Sequence, residues 1–105
     1  MLELTKENFE AEVLKAEGTV LVDFWSPSCE PCKALMPKVH EFEEKYSDKV
    51  KFASLDITQA RRVAIGQKVL GLPVVAIYKN GERVDSVVGD EATSKSVGEL
   101  IEKHC

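Results

Sequence analysis

Residues 20–25, Val-Leu-Val-Asp-Phe-Trp, most constrain what this chain can fold into. The run is β-branched and aromatic, and its near-continuous apolar character is typical of a central strand that is buried on both faces. Strand and helix patterns alternate around it, and a hairpin signal followed by a last helix closes the series. This order predicts a mixed sheet with helices packed on both of its faces.

The other elements follow from periodicity and from turn residues. Asn80-Gly81 is a strong hairpin signal, and Pro37 inside a helical pattern predicts a kink. Thr5 is expected to cap the first helix, and Gly18 to end it. The predicted order is β-α-β-α-β-α-β-β-α, with strands at 2–4, 20–25, 50–55, 73–78 and 83–88, helices at 5–16, 29–46 and 58–68, and a last helix that carries Val97, Leu100, Ile101 and His104.

The composition is that of one small globular domain. The 105 residues are 44% hydrophobic, and no repeat or linker-like stretch divides them. A net charge of −4 without a basic stripe disfavours binding to nucleic acid or to an anionic membrane. No apolar run approaches the roughly 18 residues of a membrane-spanning helix, and the charged N-terminus does not resemble a signal peptide. We therefore expect a cytoplasmic protein.

The three cysteines, Cys29, Cys32 and Cys105, are too few for the disulfide framework of a small secreted protein, and their number is odd. Residues 29–32 form a C-x-x-C unit, which can be half of a zinc site or a redox dithiol. A structural zinc ion needs four ligands, and the nearer histidine, His40, lies about 12 Å along a helix from Cys32. The residues near Cys29 and Cys32 therefore offer too few ligands for a structural zinc ion. We interpret Cys105 as an incidental terminal thiol.

The C-x-x-C unit is placed where a strand ends and a helix begins. Free N–H groups and the positive end of the helix dipole stabilise a thiolate at that point. Cys29 occupies it, and Cys32 lies one turn farther on the same face, within reach of a disulfide. This predicts an exposed nucleophile with a resolving thiol. Two buried structural cysteines are the alternative, which Glu30 and Pro31 disfavour because both suit a surface loop.

Asp23 is a carboxylate inside the apolar strand. Its burial costs several kcal/mol unless the group is protonated or paired. Desolvation should raise its pKa, and a carboxyl that titrates near neutral pH is suited to proton transfer with a thiol. A structural aspartate held by hydrogen bonds is the alternative, and the strand pattern alone leaves both open.

The segment 23–33, Asp-Phe-Trp-Ser-Pro-Ser-Cys-Glu-Pro-Cys-Lys, closely resembles the active-site segment of thioredoxins. The resemblance extends over nearly the whole chain and includes Pro37, the Gly71-Leu72-Pro73 turn and Val88-Gly89. It implies an α/β thioredoxin fold, a five-stranded mixed sheet flanked by four helices. It also implies a monomeric protein dithiol–disulfide oxidoreductase without bound cofactor or metal, which reduces client disulfides and is re-reduced by a flavoprotein thioredoxin reductase that uses NADPH.

The resemblance assigns roles by matching position. Cys29 would attack a client disulfide, Cys32 would resolve the mixed disulfide, and Asp23 would be the buried acid near Cys32. Pro73 would be a cis-proline facing the dithiol, although only about 5–6% of X–Pro bonds are cis and sequence alone does not predict one. An extended client strand is expected to lie against Leu72, Pro73 and Val74, with Trp25, Pro31 and Gly89 as apolar neighbours.

Three positions depart from the common thioredoxin pattern. Glu30 stands where glycine is usual, Ser28 where tryptophan is frequent, and Ser54 where a lysine near the buried acid is common. Without that lysine, the raised pKa expected for Asp23 depends more on desolvation and less on a neighbouring charge.

The pair between the cysteines is expected to tune the redox couple. The charge of Glu30 next to Cys29 predicts a higher thiol pKa than glycine would give, an effect that salt should weaken. A Cys-Glu-Pro-Cys unit, which includes Pro31, is similar to that of thioredoxins of amino-acid-fermenting anaerobes. That similarity implies selenoprotein reductases among the partners.

Two other classes of function stay open on sequence grounds. A thioredoxin-fold binding subunit would carry the dithiol without using it. A disulfide isomerase or oxidase of the secretory pathway would have a more oxidising potential, and the missing signal peptide disfavours it.

Overall fold

A computed structural model describes all 105 residues and contains one five-stranded sheet. Its strands are β1 (Leu2–Leu4), β2 (Thr19–Trp25), β3 (Lys51–Asp56), β4 (Val74–Lys79) and β5 (Glu82–Val88). Across the sheet the strand order is β1-β3-β2-β4-β5, so β2 is central. β1, β3 and β2 run parallel, whereas β4 is antiparallel to both β2 and β5. The predicted mixed sheet is therefore confirmed.

Four helical segments flank the sheet, as predicted. A 3-10 turn additionally links β5 to the last helix, and the longest helix begins directly after Cys29 and continues through Pro37. The segments are a π-helical turn (Glu10–Leu14), α1 (Glu30–Tyr46), α2 (Arg61–Gly66) and α3 (Ser94–His104).

The first helix differs in form from the helix predicted over 5–16. Its regular part is a π-helical turn, in which the Lys15 N–H donates to the Glu10 carbonyl at 2.8 Å. Phe9 is the N-cap of this helix and makes no side-chain capping bond, whereas Thr5 stabilises the turn before it: its hydroxyl accepts from the Asn8 N–H at 3.2 Å, and Asn8 Oδ1 accepts from the Thr5 N–H at 2.6 Å. The sequence thus predicted a helix in this part of the chain, but it did not predict the N-cap or the wider π-helical winding.

The helix predicted over 58–68 is also shorter, because it begins at Arg61. Asp56 Oδ1 accepts from both the N–H and the hydroxyl of Thr58, at 2.9 and 2.7 Å. This local side-chain turn takes the place of the first helical hydrogen bonds.

The central strand separates two hydrophobic cores because its successive side chains point to opposite faces. Val22 belongs to the core that also contains Phe9, which directly precedes the π-helical turn, and Ala64 of α2. Leu21 belongs to the core built with α1 and α3. Asp23 alternates with Val22 and therefore lies on the side covered by α1 and α3.

The β4–β5 hairpin turns at Asn80 and Gly81, as predicted. Both have positive φ, 51° and 85°, which a type I′ turn requires. The Asn80 side chain accepts from the Gly18 N–H at 2.9 Å, and a Cβ at Gly81 would overlap the Leu14 carbonyl. The turn is thereby tied to the start of β2.

Candidate active site

The candidate active site lies where several chain ends meet at one edge of the sheet. β2 ends at Trp25, β4 begins at Val74 and β5 ends at Val88. Val74 pairs with Phe24 on one side and with Val88 on the other, so the three ends are neighbours. The chain leaving β2 turns there and enters α1 at Cys29.

A tight turn, Ser26-Pro27-Ser28, connects β2 to α1. Ser26 is buried, and its carbonyl accepts from the Cys29 N–H at 3.1 Å. The hydroxyls of Ser26 and Ser28 are 3.3 Å apart. These contacts hold Cys29 at the N-cap of α1, where the sequence placed it.

Cys29 and Cys32 form a disulfide, with their Cα atoms 5.2 Å apart. Their environments differ: Cys29 is half-buried, whereas Cys32 is only 1% exposed. The Cys29 sulfur also accepts from the Cys32 N–H at 3.2 Å, so it caps the helix. An incoming sulfur can therefore reach Cys29 more easily than Cys32.

Asp23 is buried without a partner. The residue is 1% exposed, and neither carboxylate oxygen has a hydrogen-bond partner. Desolvation by burial raises the pKa of Asp23 from 3.8 to about 7. The direction of this shift is the one predicted from the sequence, and no protein group hydrogen-bonds to the carboxylate as the alternative of a structural aspartate requires.

The Leu72–Pro73 peptide bond is cis. Pro73 is buried, and its carbonyl accepts from the Gly89 N–H at 2.8 Å. Gly89 has a φ of 60°, in the left-handed region that favours glycine. Leu72, Pro73 and Gly89 are therefore held together beside the start of β4, at the edge where β2 ends.

Glu30 and Pro31 occupy the first turn of α1, and both are exposed. Glu30 Oε1 lies 3.2 Å from Lys33 Nζ, three residues along the helix. Lys33 was not predicted as the partner of Glu30, although a spacing of three residues on a helix is itself a signal for an ion pair. The negative charge next to Cys29 is thus partly compensated.

A cavity of about 450 Å³ opens beside Trp25, between β1, β3 and α1. Its wall includes Ser54, the position where the lysine common in thioredoxins is absent. The sequence could not have revealed this cavity, because it depends on how α1 packs on the sheet. The lining residues are Met1, Glu3, Trp25, Lys33, Met36, Pro37, His40 and Ser54.

Comparison with known proteins agrees with this geometry. A family model described as thioredoxin matches residues 1–103. The chain belongs to the thioredoxin family. It is 53% identical over 104 residues to a thioredoxin of Acetoanaerobium sticklandii, covering 99% of each chain. It is 50% identical over 104 residues to a thioredoxin of Peptoclostridium acidaminophilum, covering 99% of this chain and 94% of the relative. A 44-residue thioredoxin sequence from Tissierella creatinophila is 86% identical over its full length, which is 42% of this chain.

Membership in the thioredoxin family establishes the function of the Cys29–Cys32 disulfide. Thioredoxins are disulfide reductases, so the chain is a protein dithiol–disulfide oxidoreductase with Cys29–Cys32 as its redox-active pair. No group of three or more His, Cys, Asp or Glu side chains is placed to hold a metal ion. None of the helices is both long and apolar enough to cross a membrane.

Proposed function

We propose that Cys29 attacks client disulfides, that Cys32 resolves the intermediate, and that Asp23 accepts the proton of Cys32. The observation that carries these roles is the asymmetry of the disulfide. Cys29 is half-buried at the N-terminus of α1, whereas Cys32 is 1% exposed. The helix N-terminus stabilises a thiolate at Cys29, and buried Asp23 shares the face of the sheet that α1 covers.

The proposed reaction transfers two electrons from the dithiol to the client. The Cys29 thiolate attacks one client sulfur, forms a mixed disulfide and releases the other client sulfur as a thiolate. Asp23 then takes the proton of the Cys32 thiol. The Cys32 thiolate attacks the Cys29 sulfur, and the second client thiolate leaves. The protein is oxidised to the disulfide, and solvent protonates the reduced client.

We propose that clients dock as an extended strand across the edge that carries the dithiol. The hydrogen bond from the Gly89 N–H to the Pro73 carbonyl fixes the backbone around Pro73, next to the last residues of β2. Recognition through main-chain atoms suits an enzyme that accepts many clients. The contact residues in this proposal are Trp25, Pro31, Leu72, Pro73, Val74 and Gly89.

Thioredoxins as a family interact with thioredoxin reductase and with disulfide-bonded clients. We propose that NADPH supplies the electrons here through a flavoprotein thioredoxin reductase, and that selenoprotein reductases are among the clients. The second point depends on the Cys-Glu-Pro-Cys unit. In the same proposal, residues 1–105 form one thioredoxin domain that works as a cytoplasmic monomer, with no nucleic acid or membrane as partner. The net charge of −4 supports the last point.

An insulin-reduction assay with dithiothreitol tests this proposal against a binding subunit. We expect the wild-type protein to accelerate insulin precipitation, and a Cys29→Ser variant to leave it at the uncatalysed rate. A wild-type protein that does not accelerate precipitation would show that the dithiol is not used on clients. No observation favours that alternative or the secretory oxidase.

The Glu30–Lys33 pair gives a prediction about the thiol pKa of reduced Cys29. Glu30→Gln should lower that pKa by less than about half a unit, because Lys33 already offsets the carboxylate and both side chains are exposed. Lys33→Met should raise the pKa of Cys29, because Glu30 is then uncompensated. The rise should be at most about one pKa unit, which is what a lone charge ~7 Å away would cause. Thiolate absorbance at about 240 nm, followed against pH, measures both shifts, and high salt should shrink them.

A similar ion pair on the same helix provides the control. Lys38 and Glu41 lie 3.3 Å apart but farther from the dithiol, so Lys38→Met should leave the Cys29 pKa unchanged. A Glu30→Gln variant with an unchanged or higher pKa would contradict the electrostatic explanation, and partner recognition would then account for the glutamate.

A further inference from the structure

Three cavities follow one another along the edge of the sheet that carries the dithiol. The first, of about 450 Å³, and the second, of about 300 Å³, both have Trp25 in their walls. The second and a third, of about 560 Å³, share Gln59. Together they form an edge groove that leads from Trp25 through Gln59 to Arg61 and Arg62 in the wall of the third cavity.

The topology of the sheet places this groove beside the dithiol. β1, β3 and β2 are parallel, so their carboxyl ends meet at one edge. Asp56, the last residue of β3, is in register with Trp25, and the Ile57 N–H donates to the Trp25 carbonyl at 2.9 Å. Lys6, which follows β1, lines the third cavity. β1 is two strands away from β2, so the third cavity is roughly 10 Å from Trp25 at about 4.8 Å per strand.

The third cavity is the basic end of the groove. Its wall contains Lys6, Arg61 and Arg62, all exposed, against the single carboxylate of Glu7. None of the three cations takes part in an ion pair. Arg83, the remaining arginine of the chain, is instead held by two hydrogen bonds within the fold. Three cations without an internal partner are therefore available to a ligand in a chain whose net charge is −4.

The part of the groove nearest to the dithiol has the opposite character. Glu30 is exposed beside Cys29, and Glu3 and Asp56 line the second cavity. A negative group next to a client cysteine would therefore meet carboxylates. An extended client spans about 3.3 Å per residue, so a carboxylate on its fourth residue from the cysteine reaches the basic end.

We propose that the edge groove selects client disulfides whose flanking segment is acidic from about the fourth residue onward. The client cysteine lies at Cys29, and the client carboxylates bind Arg61, Arg62 and Lys6 at the far end. Guanidinium groups suit this role because they bind carboxylates through paired N–H donors. The net charge of −4 alone would instead repel an acidic client. The preference rests on the proposed attack by Cys29 and names a substrate class for that reaction.

Reduction of three synthetic peptide disulfides tests the preference. Each probe is a homodimer of a peptide with one central cysteine. The acidic probe has glutamates from the fourth residue outward on both sides, the neutral probe has glutamines there, and the third has its glutamates directly beside the cysteine. The rate of oxidation of the reduced protein is followed by the fluorescence of Trp25, the only tryptophan.

At low salt we expect the acidic probe to react about fivefold faster than the neutral one, the combined effect of a few exposed ion pairs. The third probe should have no such advantage, because its carboxylates lie near Glu30. In 1 M salt, where screening acts within about 3 Å, the advantage of the acidic probe should disappear.

Two double variants with the same change in net charge locate the effect. In Arg61→Gln/Arg62→Gln the ratio of the acidic to the neutral rate should fall below about twofold, because only Lys6 remains at the basic end. Lys49 and Lys79 lie at the opposite edge of the sheet, just before β3 and at the end of β4. Lys49→Gln/Lys79→Gln should therefore keep the wild-type ratio.

The outcomes separate failure of the groove from failure of the proposed function. A wild-type protein that reduces none of the probes would contradict the function itself. Equal rates with the acidic and neutral probes, or a faster neutral probe, would overturn the groove and leave the function standing. The groove would also be wrong if the arginine variant kept the ratio, if both double variants lost it equally, or if the third probe shared the advantage.

Discussion

Cys32→Ser is expected to accumulate as a mixed disulfide between Cys29 and client proteins, with catalytic turnover reduced to the uncatalysed rate. Cys29 is accessible at the N-terminus of α1, so its attack survives the substitution. The serine hydroxyl cannot displace the client sulfur, so the intermediate persists. Non-reducing gels of protein captured from a lysate, followed by reduction and mass spectrometry, measure the trapped species.

The control for this experiment must remove the third thiol. Cys105 is free and exposed, so it could form adducts of its own, and both variants belong in a Cys105→Ser background. There we expect Cys32→Ser to trap clients and Cys29→Ser to trap few. Equal trapping by Cys29→Ser, with none by Cys32→Ser, would mean that the roles of the two cysteines are reversed.

Asp23→Ala is expected to slow turnover at least tenfold near neutral pH, a part of the roughly 10²–10⁴-fold that general acid–base groups contribute. The variant leaves the Cys32 thiol without a proton acceptor while Cys29 still attacks. The deficit should shrink above about pH 9, where thiols with an ordinary pKa of about 8.5 ionise unaided. Rates of insulin reduction across this pH range measure the effect. A variant with the wild-type rate at every pH would contradict the role of Asp23.

The same residue should make the folded protein less stable as the pH rises. Burial raises the pKa of Asp23 to about 7 in the folded protein, whereas an unfolded aspartate titrates at about 3.9. The folded state therefore binds more protons between these values, so its stability falls as the pH rises from about 4 to 7. At about 1.36 kcal/mol per pKa unit this difference in pKa corresponds to about 4 kcal/mol of stability, and mutational scales for buried polar groups give about 1–3 kcal/mol.

Urea unfolding of the oxidised protein measures this contribution. Above neutral pH, Asp23→Ala should be more stable than the wild type, and Asp23→Asn, which cannot ionise, should lose the same pH dependence. The two variants differ in the space they fill, so their shared loss of slope isolates the charge. A clear loss of stability in both variants at high pH would show that the carboxylate is stabilised by groups around it.

Local patterns in the sequence were enough to predict the core of the site. The apolar run at 20–25 marks the central strand, and the break at residues 26–28 places Cys29 at a helix N-terminus. These features depend on neighbours in the chain. An aspartate between Val22 and Phe24 is costly in any buried strand, so its raised pKa also followed from the sequence.

Other parts of the site depend on contacts between distant segments and had no local signal. The cis bond before Pro73 is supported by its surroundings, including the hydrogen bond from Gly89. The Asp23–Ser54 neighbour pair exists only through the register of β2 and β3. The π-helical turn at Glu10–Leu14 has an ordinary amphipathic pattern, so periodicity predicts a helix there without giving its winding.

A redox titration of the Cys29–Cys32 couple tests the central claim of a disulfide reductase most directly. The purified protein is equilibrated in thiol–disulfide buffers of graded potential, and the fraction of disulfide is read from the fluorescence of Trp25. We expect a single two-electron transition on the reducing side of about −200 mV, in the direction of the general thioredoxin value of about −270 mV. A midpoint between about −180 and −120 mV, the range of isomerases and oxidases, would contradict the account.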